Sequence, residues 1–122
     1  MRIKISWAKG EIEGTLNNAT TAHKIYKTLP FSSRANLWGK EVYFTIPVED
    51  GLSPDAQQVV EAGSICFWVE GTSLAIPFGP TPISSGNECK MVTKVNIVGK
   101  LDGRPNILES IRAGDIIKVE KL

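Results

Sequence analysis

Two stretches of the chain carry the side chains best suited to grip a ligand. They are Leu29-Pro30-Phe31-Ser32-Ser33-Arg34-Ala35-Asn36-Leu37-Trp38-Gly39 and Ile76-Pro77-Phe78-Gly79-Pro80-Thr81-Pro82-Ile83-Ser84. Both read as irregular, and both hold aromatic groups. Three prolines stiffen the second, so little conformational entropy remains to be lost on binding. Arg34 is the one arginine of four that lies in an aromatic-flanked segment. A guanidinium there would bind a carboxylate or polarise a carbonyl. The plainer alternatives are a rigid loop plugging one end of the fold and a solvated surface arginine.

The remaining reactive groups are few. One histidine, His23, and two cysteines, Cys66 and Cys89, cannot build a Cys/His zinc site. Any nucleophile–imidazole device would run on His23 alone, which falls on the polar side of its segment. Cys66 reads as a buried strand residue, and Cys89, in a polar stretch, as an exposed one. Glu41 and Glu70 stand singly, so no acid/base pair is visible. Gly79-Pro80 lacks the free amides and the following helix of a phosphate loop. No cofactor or metal is expected.

The chain's 122 residues, with 42% hydrophobic and 22% charged composition, describe one domain, residues 1–122, able to bury a core. A net charge of +1, with basic residues scattered among acids, predicts no nucleic-acid or membrane partner. Met1 to Ile5 already follows a strand pattern, so no signal peptide is expected, and the sparse cysteines fit a reduced cytoplasmic protein.

Most of the sequence alternates with period two. Ile3, Ile5 and Trp7 share a face, and Ile12 and Leu16 return after Ala8-Lys9-Gly10 as a hairpin. Ala22, Ile25, Tyr26 and Leu29 then recur at helical spacing, with Asn17 or Asn18 as N-cap and Pro30 as stop. Val42, Phe44 and Ile46 point one way along the next strand, and Glu41, Tyr43 and Thr45 the other. Residues 56–60 fit either a strand or a short helix, and strand is preferred. Ile65 to Val69 and Leu74 to Ile76 form a hairpin, and Met91 to Leu101 another strand. Pro105 to Ala113 reads as a second short helix with Ile107, Leu108 and Ile111 inward, and Asp115 to Leu122 as a last strand. Seven or eight strands in so small a chain must manage their edges, which closure into a barrel achieves. Side chains fill a barrel of that size, so a site belongs on its outside or at a mouth.

Three blocks, Trp38-Gly39-Lys40-Glu41-Val42-Tyr43-Phe44, Gly63-Ser64-Ile65-Cys66-Phe67-Trp68 and Ile76-Pro77-Phe78-Gly79-Pro80-Thr81-Pro82, resemble in that order the small prokaryotic cyclophilin-like family. The resemblance runs from Ile3 to the last strand and implies a closed antiparallel cyclophilin-like β-barrel with two short capping helices. The family often has Gly-Asp where this chain has Gly63-Ser64. The isomerase motif of true cyclophilins does not carry over: Phe31 and Arg34 are spaced differently, the only glutamines are Gln57 and Gln58, and His23 precedes these blocks.

The expected function is therefore a peptide or small-molecule binding domain, its groove lined by Phe31, Arg34, Trp38, Tyr43, Trp68, Phe78 and Thr81. The alternative is an atypical peptidyl-prolyl isomerase with Arg34 as the hydrogen-bond donor and Phe31, Trp38 and Phe78 as the proline slot. A subunit interface formed by exposed aromatics is a third reading. Ligand identity and oligomeric state stay open.

Overall fold

The alternation Arg2-Ile-Lys-Ile-Ser-Trp7 places every second side chain inside. In the computed structural model, which describes residues 1–122, this segment is strand β1 (Arg2–Trp7), hairpin-paired with β2 (Gly10–Leu16) so that Ile5 faces Ile12. Helix α1 (Thr20–Thr28) follows. Its N-cap position is Ala19, without a side-chain cap; Asn17 instead accepts a hydrogen bond from the Ala19 amide at 2.9 Å, an Asx-type turn leading into the helix. Ala22 and Ile25 are buried as the periodicity predicts.

The chain next forms β3 (Phe31–Arg34), β4 (Asn36–Leu37), β5 (Glu41–Thr45), β6 (Gln57–Val60), β7 (Ser64–Trp68), β8 (Ser73–Pro77), β9 (Cys89–Leu101), a 3-10 helix (Pro105–Ser110) and β10 (Ile116–Lys121). The strand count is ten rather than seven or eight. Most of the excess comes from Phe31 to Leu37, read above as irregular. Ser32 and Ser33 give no apolar alternation, yet their backbone groups pair with Lys118 and Ile117 of β10. Residues 57–60 are a strand, as preferred. The second helix is shorter than expected and leaves Ile107 40% exposed, while Leu108 and Ile111 are buried.

All pairings are antiparallel, in the order β3-β10-β1-β2-β9-β7-β8-β5-β4. The two end strands, β3 and β4, are joined through Ala35 alone, whose amide donates to Asp115 (2.9 Å) and whose carbonyl accepts from Gly114 (2.8 Å). Chain continuity thus nearly closes the sheet into a barrel. Its interior is filled by Ile3, Ile5, Phe44, Phe67, Leu74 and Ile117, among others, with Ile25 from α1 and Leu108 from the 3-10 helix in the same core.

A second, smaller core lies outside. On β5, β7 and β8 the residues alternating with the interior set are Tyr43, Cys66 and Ala75, which form one cross-strand row. The first half of β9 leaves the barrel and pairs instead with β6 (Val59 opposite Lys90, Val60 opposite Cys89). This two-stranded ribbon lays Val60, Cys89, Met91 and Val95 over Cys66 and Ala75. Cys89 is therefore buried, contrary to its reading as an exposed loop residue, because it opens β9 beneath β6.

Candidate functional site

The edge of that outer core is left open as a cleft of about 150 Å³ lined by Trp38, Glu41, Tyr43, Trp68, Ala75, Met91, Val92 and Val95. Each wall has a local cause. Tyr43 and Glu41 reach it because they alternate with Val42 and Phe44 on β5. Trp68 alternates with Phe67 on β7 and meets Tyr43 edge to face, ring centroids 5.7 Å apart at 88°. Met91 and Val95 arrive on the β9 half that β6 holds out, helped by Gln58 Nε2 donating to the Met91 carbonyl at 3.0 Å.

Trp38 is placed by a tight turn in which its amide donates to the Glu41 carbonyl at 3.0 Å. The turn needs Gly39 at φ +58°; a Cβ there would come within 3.0 Å of Thr81 Cα and 3.1 Å of the Pro80 carbonyl oxygen. The two segments singled out in the sequence therefore pack against each other. Lys40 accepts from the Phe78 amide (2.8 Å) and donates to the Pro80 carbonyl (3.0 Å). Thr81 is buried and donates to the Lys90 carbonyl, while Ser84 Oγ accepts from the Thr81 and Lys90 amides at 2.9 and 3.2 Å. Thr81 is thus an anchor that ties this loop to β9.

Of the seven residues expected to line a groove, the cleft brings together Trp38, Tyr43 and Trp68. Phe31 and Phe78 are partly buried against the barrel core, and Arg34 is exposed on β3 with its guanidinium donating to the Gly114 carbonyl at 3.2 Å. Arg34, Phe31 and Phe78 do not line the cleft with Trp38. Phe78→Ala is expected to keep cooperative urea unfolding and to cost about 1–2 kcal/mol, less than the ~3–5 kcal/mol of a fully buried phenylalanine. Loss of cooperativity in that variant would make Phe78 an essential plug.

Glu41 was read in the sequence only as a single carboxylate, and the structure makes it a candidate site residue. It is only 5% exposed, and its Oε1 is buried without a hydrogen-bond partner. Burial pushes its carboxyl up to about 7, with no neighbouring cation to offset it. Trp68 Nε1, a donor in the same wall, is likewise buried without a partner. The two thiols nearby are inert: burial raises both Cys66 and Cys89, and the neighbouring Glu41 adds to the effect. Trp38 and Tyr43 were visible in the sequence as aromatic residues flanking Glu41. Met91, Val92 and Val95 were not, because only the pairing of β9 with β6 brings them across.

Two other depressions, about 480 and 430 Å³, are larger but polar. Several charged and amide groups lining them are partnered within the chain: Lys100 with Glu61 at 2.7 Å in one, and Asp50 with Thr21 and Asn96 with the Gly51 carbonyl in the other. Unmet hydrogen-bonding demand distinguishes the small cleft. No cluster of three His, Cys, Asp or Glu side chains is assembled, and no helix is long and apolar enough to cross a membrane.

Comparison with known proteins agrees with this architecture. The hypothetical protein AF2241 from Archaeoglobus fulgidus, known from its solution structure, matches with a TM-score of 0.84 and 31% identity over 100% of this chain and 95% of its own. McbB, whose structure was determined in complex with tryptophan, matches with a TM-score of 0.67 at 15% identity over 98% of this chain, which corresponds to 44% of McbB. No curated protein matches. The family model described as Cyclophilin-like matches residues 1–120, and the chain belongs to the cyclophilin-like family.

Proposed function

We propose that the protein is a binding domain whose ligand places one small apolar ring, free or carried on a peptide, in the cleft beside Glu41 and Trp68. The carrying observation is the pair of unpartnered buried polar atoms, Glu41 Oε1 and Trp68 Nε1, on two residues that line a cleft otherwise almost wholly apolar. Each such atom destabilises the free protein by about 1–3 kcal/mol, a penalty that a ligand can relieve. A cavity of about 150 Å³ holds a benzene-sized ring. That the distant fold neighbour McbB binds tryptophan supports a ring-bearing occupant. The scattered surface charge favours such a ligand over nucleic acid, and the two free cysteines fit a cytoplasmic setting.

Phenol is a suitable probe, since its hydroxyl can accept from Trp68 Nε1 and donate to Glu41. A ligand of so few atoms is expected to bind with a Kd of about 1 mM. In 1H–15N correlation spectra the Trp68 indole resonance and the amides of Met91 and Val95 should shift together and saturate. Shifts centred on Arg34 and Phe31, or none up to roughly ten times that concentration, would overturn the reading.

A further inference from the structure

The cleft has an uncompensated sign. Glu41 forms no ion pair, and its Oε1 has no partner of any kind. Lys40, its chain neighbour, is instead directed toward Glu109, at 3.9 Å. Lys90 and Lys94, the lysines on this part of β9, are not among the residues that line the cleft. The titratable groups that do face Glu41 are Tyr43 from its own strand, Cys66 from β7 and Cys89 from β9; β8 contributes Ser73, Ala75 and Pro77 on this side, none of them titratable. None of these brings a positive charge. Trp38, Tyr43 and Trp68 line the cleft, and aromatic rings attract cations to their faces. Carboxylate and rings therefore favour the same kind of guest.

A leucine or methionine at position 41 would pack this wall without desolvating a carboxyl. A buried acid without a counter-charge on a barrel's outer face is better explained by a charge that arrives from outside. Resting on the cleft as the binding site, we propose that its ligand is a small organic amine with an apolar ring, bound as the ammonium ion against the Glu41 carboxylate. The carboxyl, titrating near 7 in the free protein, gives up its proton to solvent as the ammonium docks. Affinity therefore rises with pH through the range below 7 and levels off above it, while the amine stays charged to about pH 9 or beyond.

Two probes of nearly equal shape separate this proposal from the reading beneath it. Benzylamine and benzyl alcohol differ only in the ammonium and hydroxyl groups. At pH 7.5 and low salt, calorimetric or NMR titration of the intact protein should show benzylamine binding at least roughly ten-fold tighter. That advantage should shrink several-fold at pH 5, and should vanish in Glu41→Gln with spectral dispersion retained. The pH comparison on the unmodified protein holds even if the variant misfolds. Equal binding, or tighter binding of the alcohol, would overturn the amine assignment while leaving the cleft as a binding site. Binding of neither probe at the cleft would overturn both.

Discussion

Gly99→Ala is expected to destabilise the protein by about 3 kcal/mol or more and to lower Tm by roughly 10 °C. Gly99 lies in β9 where that strand is held on both sides, opposite Leu16 of β2 and Ile65 of β7. The register with β7 slips between Ile65 and Cys66 at this point, so β9 bends as it turns from barrel to ribbon. A Cβ at position 99 would lie 2.4 Å from the Thr15 carbonyl oxygen and 3.0 Å from Leu16 Cα. Both are backbone atoms of a paired strand and cannot swing aside as a side chain would. Relief requires β2 and β9 to part, which breaks pairing at the one place where β9 connects the β1–β2 hairpin to β7. Gly51→Ala is the matched control, since nothing lies within 4 Å of a Cβ there. Its expected effect is within about 0.5 kcal/mol. Denaturant unfolding of both variants checks the contrast; a Gly99→Ala protein as stable as the control would show that the β2–β9 seam is looser than described.

The same strand explains what could and could not be read from the residues. Interior positions on β1, β2 and β5 were legible because the alternation of Ile, Val, Phe and Leu reports the inward face directly, whereas β7 and β8 are buried on both faces and show no such alternation. Tyr43 and Glu41 were correctly assigned to the opposite face of β5. Their burial was not legible, because it depends on residues some fifty positions later folding back over them as the β6–β9 ribbon, a long-range pairing with no local signature. For the same reason Cys89 looked like a loop residue and Glu41 only like a single carboxylate without an acid/base partner. The β3 segment was missed for a different reason: Phe31 to Arg34 carries two serines and pairs on one side only, with β10. Arg34 attracted attention by its aromatic neighbours in sequence, yet β-pairing carries Phe31 toward the core, whereas Trp38 turns toward the outer cleft.

Glu41 sets the second expected result, an inverted dependence of stability on pH. The unfolded chain releases this proton near 4.5, whereas the folded protein retains it to about 7. Between those values the folded state binds more protons than the unfolded one, so stability falls as pH rises through this window and levels off above it. At full burial the difference would be about 3 kcal/mol; water at the cleft mouth reduces it to about 2 kcal/mol. Asp50 and Glu61, whose carboxyls are held below their ordinary values by Thr21 and Lys100 respectively, act in the opposite direction and at lower pH. Comparison with Glu41→Gln isolates the effect. The variant should match the unmodified protein near pH 4 and exceed its stability by about 2 kcal/mol at pH 8, measured by denaturant unfolding at each pH.

That the candidate site is organised around a carboxyl kept neutral by burial is most directly tested by following the 13C resonance of the Glu41 side-chain carboxyl through a pH titration of the folded protein. The structure predicts a midpoint near 7. A midpoint at the ordinary 4.5 would mean a solvated or paired carboxylate, and would contradict the site described.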